Sequence, residues 1–176
     1  RLTPQGLPGA DAATLAVQLL RGLAFAHEAG VAHHDPQPYL VLVGDSGHLR
    51  LAGLEVAATG SMPGSGGPRP ATQSPAALRL HRAAAERDVL AAGVLLHGML
   101  AGASALAEPD TGRVIARLPP LGREIVRLPW TTAHAIAEPL RAIVNRATDR
   151  QQRQRYRNPR TLLRALEGWL QTEAEA

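Results

Sequence analysis

The sequence contains neither cysteine nor lysine. Without cysteine there can be no disulfide, no thiolate metal site and no thiol nucleophile, a composition that fits a reducing compartment. Without lysine, every one of the 19 basic residues is an arginine. Chemistry that needs an ammonium group, such as the phosphate grip of a P-loop or a Schiff base, therefore cannot be completed within this chain. Aromatic residues make up only 3% against 45% hydrophobic residues overall. The interior must be built mainly from Leu, Val and Ala, which suits packed helices better than a β-sandwich. No apolar run reaches the roughly 20 residues that span a bilayer, and no signal-peptide pattern is present. The expectation is a soluble, cytoplasmic protein with no membrane partner.

At 176 residues the chain suits one domain that buries roughly 70% of its unfolded surface. It begins at Arg1 rather than a methionine, which reads as a piece of a longer protein or a processed product. From Asp11 to Ala29, the residues Leu15, Leu19, Leu20, Leu23 and Phe25 recur near helical spacing, with Asp11 as N-cap and Gly30 as the stop. Tyr39–Val43 and His48–Ala52 flank Gly44-Asp45-Ser46-Gly47, the pattern of a β-hairpin. Residues 59–75 are rich in Gly and Pro and poor in large apolar groups, which predicts a mobile loop. Glu86–Leu100 is apolar nearly all round and ends at Gly102, as expected of a central helix. A weaker helical stretch, Asp110–Leu118, precedes a proline-rich loop from Pro119 to Trp130. Glu138–Arg150 and Pro159–Thr172 are the last predicted helices, the second with Asn158 as N-cap and a stripe of Leu162, Leu163, Leu166, Trp169 and Leu170.

Several short motifs stand in a telling order. The segment Leu19–Val31 runs into His33-His34-Asp35-Pro36-Gln37-Pro38-Tyr39-Leu40, which falls where protein kinases carry H-R-D-x-K-P-x-N. Gly53-Leu54-Glu55 falls at the D-F-G position and Ser74-Pro75-Ala76 at the A-P-E position. Asp88-Val89 resembles the start of the family's central motif, whose aspartate braces the catalytic loop, and Arg155-Tyr156 resembles the late arginine that pairs with the A-P-E glutamate. From about Asp11 to Leu170 the chain thus resembles the C-terminal lobe of a bacterial-type serine/threonine kinase, a mainly α fold with a small β-hairpin. The resemblance implies a single kinase-like lobe over residues 1–176, with no N-lobe in the chain and residues 59–75 in the place of an activation segment.

The resemblance also locates what is missing. Asp35 keeps the position that orients the attacking hydroxyl, and His33 keeps its packing position in the loop. His34 replaces the arginine, Gln37 the loop lysine, Leu40 the metal-binding Asn, Gly53 the metal-binding Asp, and Leu54 and Glu55 the rest of that motif. Ala76 replaces the glutamate that would pair with Arg155. If Gln37, Leu40 and Gly53 each forfeit about 3 kcal/mol of electrostatic stabilisation, roughly six decades of rate disappear. The expectation is a catalytically inactive pseudokinase-type module that works through a protein partner or a linked signalling domain. No cofactor, metal, ATP or magnesium is expected.

Other readings compete with this one. A divergent kinase could still use Asp35, with Asp45 or Glu55 as non-standard metal ligands. Eight arginines between Arg141 and Arg164, with a sequence pI near 10.8, raise a nucleic-acid contact. Against it stand a net charge of only +4 and few aromatic rings for stacking. His33-His34-Asp35 as a metal site lacks a third ligand at fixed spacing, and no G-x-S-x-G elbow supports a serine hydrolase. Asp35 reads more simply as a turn residue, and Asp88 as a buried group near a helix start that caps and braces.

Overall fold

The computed structural model describes residues 5–34, 36–54, 75–102, 130, 132, 134–149, 151 and 153–175. Helix α1 spans Gly9–Glu28. Pro8, extended at ψ 149°, leads into it, so Asp11 lies in the first turn, where its charge complements the helix dipole, and is not the N-cap. Gly30 does end the helix. At φ 80° it lets its own N–H reach the His27 carbonyl and the Val31 N–H reach the Ala26 carbonyl, the paired bonds of a Schellman motif. Phe25 is 76% exposed and does not share the apolar stripe. Two residues beyond Leu23 it has turned through about 200°, away from the face that Leu19, Leu20 and Leu23 bury.

After a short 3-10 turn at Pro38–Leu40, β1 (Val41–Val43) pairs antiparallel with β2 (Leu49–Leu51), Val41 opposite Leu51 and Val43 opposite Leu49. Gln18 of α1 fixes this hairpin to the helix. Its Oε1 accepts from the Leu49 N–H at 2.8 Å and its Nε2 donates to the Gly47 carbonyl at 3.2 Å.

Helix α2 runs from Pro75 to Ala101, 11 residues longer at its start than the apolar pattern predicts. Pro75 suits a first turn, and the alanine-rich stretch after it has high helix propensity without a wide apolar face. Asp88 consequently lies mid-helix and caps nothing of its own. Gly102, at φ 85°, closes the helix, and the Leu7 N–H donates to the Met99 carbonyl at 2.7 Å, satisfying one of its last acceptors. Helix α3 covers Glu138–Ala147 and α4 covers Pro159–Glu175. Asn158 caps α4 through Oδ1, which accepts from the Thr161 N–H at 3.0 Å. The predicted stretch 110–118 and residues 59–74 and 119–129 lie outside the described residues.

The four helices share one core of Leu19, Leu20, Leu23, Leu96, Leu100, Leu140, Leu162 and Leu166, with Trp169 at its edge. Gly93 permits the closest approach of α2 to the end of α3: a Cβ there would lie 2.8 Å from the Ala147 Cβ. Among the described residues the fold is mainly helical with one small antiparallel sheet, consistent with a kinase-like helical lobe.

Candidate functional site: a loop braced by a buried aspartate

The Schellman turn at Gly30 sends the chain across the middle of α2, where Asp88 is fully buried. Its Oδ2 accepts from the His33 N–H at 2.8 Å and from His27 Nε2 at 2.7 Å, and its Oδ1 accepts from the His34 N–H at 2.7 Å. Two successive backbone amides and one ring N–H thus converge on one carboxylate. His34 sits at φ 73°, a left-handed conformation that costs a non-glycine residue on the order of 1 kcal/mol or more and persists where the surroundings fix it. The Asp88 bonds to the His33 and His34 amides hold the chain that enters it. Asp35, the next residue, lies outside the described residues, as does Glu55.

Beyond the brace, the buried His33 ring reaches the base of the hairpin, where Nε2 donates to the Ala52 carbonyl at 2.8 Å. With a carbonyl as partner, Nε2 must carry the hydrogen. The Ala52 N–H in turn donates to the Leu40 carbonyl at 2.8 Å. Gly53 follows at φ 93°, and a Cβ there would lie 3.2 Å from both His33 Nε2 and Leu40 Cδ1. The structure therefore brings His33, Leu40 and Gly53 together, with Gln37 buried at 2% exposure and Leu54 half-buried nearby in sequence. Magnesium, the ion the resemblance implies here, takes oxygen ligands. Leu40 and Gly53 offer no side-chain oxygen, and the space into which a side chain at 53 would project is closed by His33 and Leu40. The residues do not fit the ion. Asp45 cannot substitute, because it sits in the turn at the far tip of the hairpin, about 20 Å of extended chain from the level of Gly53. Among the described residues no group of three or more His, Asp or Glu side chains is disposed to hold a metal.

Ala76 is exposed on the first turn of α2, whereas Arg155 is buried in the loop before α4. Several of the late arginines hold the fold together. Arg146 lies 4.4 Å from the Tyr156 ring centroid and donates to the Gln154 carbonyl, Arg141 lies over Trp130, and Arg160 pairs with Glu28. Burial pushes the Tyr156 phenol above its ordinary value, against the opposing pull of Arg146.

Sequence reasoning missed the histidines around the brace. The rings of His27 and His81 lie 5.5 Å apart, joining the end of α1 to the first half of α2. Burial holds the His81 imidazole below its usual 6.5, the neighbouring His27 and His34 add to this, and Asp88 opposes it. The unfolded chain therefore binds this proton at a higher pH than the folded chain does. Stability from this source is intact above about 6.5 and falls as the pH drops below it. Replacing His81→Gln is expected to flatten that part of the stability profile, read by urea unfolding at pH 7.5 and 5.0. An unchanged slope would assign the acid sensitivity to other groups.

The mainly helical fold with its small sheet is consistent with a kinase-like helical lobe. Over part of its length the chain is similar to protein kinases. It is 37% identical over 60 residues to cyclin-dependent kinase 14 of Xenopus tropicalis, covering 34% of this chain and 14% of that protein. The corresponding protein of Mus musculus matches at 37% over 60 residues, covering 13% of its length. A protein of Bifidobacterium longum described as "Probable serine/threonine-protein kinase pknA2" is 34% identical over 90 residues, 48% of this chain and 12% of that protein. The matches thus span less than one-sixth of the length of these curated relatives. No protein-family model matches the chain. Among the described residues no helix is long and apolar enough to cross a membrane.

Proposed function

We propose that this chain is a kinase-like helical lobe without phosphoryl-transfer activity, serving as a signalling or regulatory protein-interaction module. The observation that carries the reading is the contact between Leu40, Gly53 and His33. The two positions that would hold metal ions in the resembling family meet as an apolar side chain and a glycine, while the Asp88 brace of the loop is intact. Phosphoryl transfer depends on metal and cationic groups that neutralise phosphate charge. Gln37, Leu40 and Gly53 supply neither, and no lysine exists anywhere in the chain to replace them. A retained scaffold without those groups suits a role exercised through contacts.

Thermal unfolding of the chain with ATP and magnesium tests this. A domain that binds the nucleotide at a hundred times its Kd gains about 2.7 kcal/mol, which raises Tm by roughly 5–10 °C at this size. The expected result is no shift beyond about 1 °C, with or without magnesium. A metal-dependent rise, with phosphate transfer abolished by Asp35→Ala, would establish a divergent kinase instead.

A further inference from the structure

The end of α1, the first half of α2 and the start of α4 border a groove of about 1030 Å³. Arg82, Arg153, Arg157 and Arg160 line it, against two carboxylates among the described residues, Glu28 and Glu86. Arg160 is engaged by Glu28. Arg82, Arg153 and Arg157 are exposed and have no carboxylate partner among the described residues. The N-terminus of the 17-residue helix α4 opens onto the same groove through Asn158 and Pro159, adding its positive dipole end. Ala24, Leu78 and Ala85 give the groove an apolar wall. Like charges gathered around a concavity raise the local concentration of a ligand of opposite sign.

We propose that this groove binds an acidic peptide segment of a partner protein, with carboxylates against Arg82, Arg153 and Arg157 and an aliphatic side chain against Ala24, Leu78 and Ala85. This gives a partner class to the interaction role proposed above and rests on that role, but not on the loss of phosphoryl transfer. The groove favours a peptide over a nucleic acid for two reasons. The apolar wall of Ala24, Leu78 and Ala85 suits an aliphatic side chain, which a phosphodiester backbone does not offer. Among the described residues no phenylalanine, tyrosine or tryptophan lines the groove to stack a base. The size suits a few residues of chain carried in a cleft.

Fluorescence anisotropy tests the proposal with a labelled peptide of three glutamates, a leucine and three glutamates, and with a labelled seven-residue oligothymidylate, both at about 150 mM salt. Saturable peptide binding is expected, at least tenfold tighter than oligonucleotide binding. The double substitution Arg153→Gln with Arg157→Gln should weaken it at least tenfold, while Arg50→Gln on the hairpin leaves it unchanged. Both groove residues are exposed, so the double variant should fold, which circular dichroism checks. Tighter binding of the oligonucleotide, equal losses at Arg50 and at the groove, or no peptide binding at 1 mM would each overturn the proposal. The nucleotide titration reads catalysis and the peptide titration reads the groove, so failure of one is distinguishable from failure of the other.

Discussion

Replacing Asp88→Ala is expected to reduce the unfolding free energy by about 4 kcal/mol, measured by urea denaturation. The substitution leaves the His33 N–H, the His34 N–H and His27 Nε2 without their acceptor in a site where the carboxylate itself is 0% exposed. A buried donor deprived of its partner costs about 1–3 kcal/mol, so the nominal sum for three is about 3–9 kcal/mol and the expected value lies in its lower half. Three effects reduce it: the desolvation of the carboxylate is relieved, His34 can leave its left-handed conformation, and the surface side of the loop can take up water. Asp88→Asn should cost less but more than 1 kcal/mol, since it keeps one acceptor and turns an amide N–H₂ toward another donor. His27→Ala removes one of the three bonds and should cost the least of the set. If Asp88→Ala and His27→Ala prove equal, the backbone amides contribute nothing to the brace.

This centre marks where the sequence can be read and where it cannot. Local chemistry was legible: Gly30 and Gly102 stop their helices through positive φ, Asn158 caps α4, and Gly44–Gly47 turns the hairpin, each within a few residues of its cause. Elements whose limits depend on packing were not. The start of α2 was obscured because residues 76–85 are helix formers without a wide apolar face, and Asp88 was placed near a helix start when it lies in the middle. Phe25 was read into a stripe because it is apolar, although its angle puts it on the opposite side.

Motif spacing brought out Asp88, His33, Leu40 and Gly53, because a shared order of elements fixes their separations in sequence. It could not bring out the third donor His27, the Ala52 carbonyl that orients His33, or the groove arginines. These come from segments separated in the chain that meet only when the hairpin, α1, α2 and α4 pack. Asp45 makes the same point in reverse, since it is close to Leu40 in sequence and held at the other end of the hairpin.

Trp169→Ala is expected to cost about 4 kcal/mol, comparable with loss of the brace, whereas Trp169→Phe should cost about 1 kcal/mol. The indole is 7% exposed and reaches across α4 to α1, where its Cη2 stands 3.5 Å from the place a Cβ on Gly9 would take. The same point on Gly9 lies 3.3 Å from Leu140 Cδ2, so one side chain joins α4 to α1 beside α3. Alanine would empty that junction and forfeit the burial of a large ring. Phenylalanine fills most of it, and the lost indole N–H has no hydrogen-bond partner among the described residues, so its removal takes away no bond. Urea denaturation distinguishes the two, and equal losses would mean that the N–H is satisfied in solution. Because the first turn of α4 walls the arginine groove, the alanine variant should also bind the acidic peptide more weakly under mildly destabilising urea, while the phenylalanine variant binds as the wild type does. Helix α4 thereby links the stability of the core to the surface at which a partner would be met.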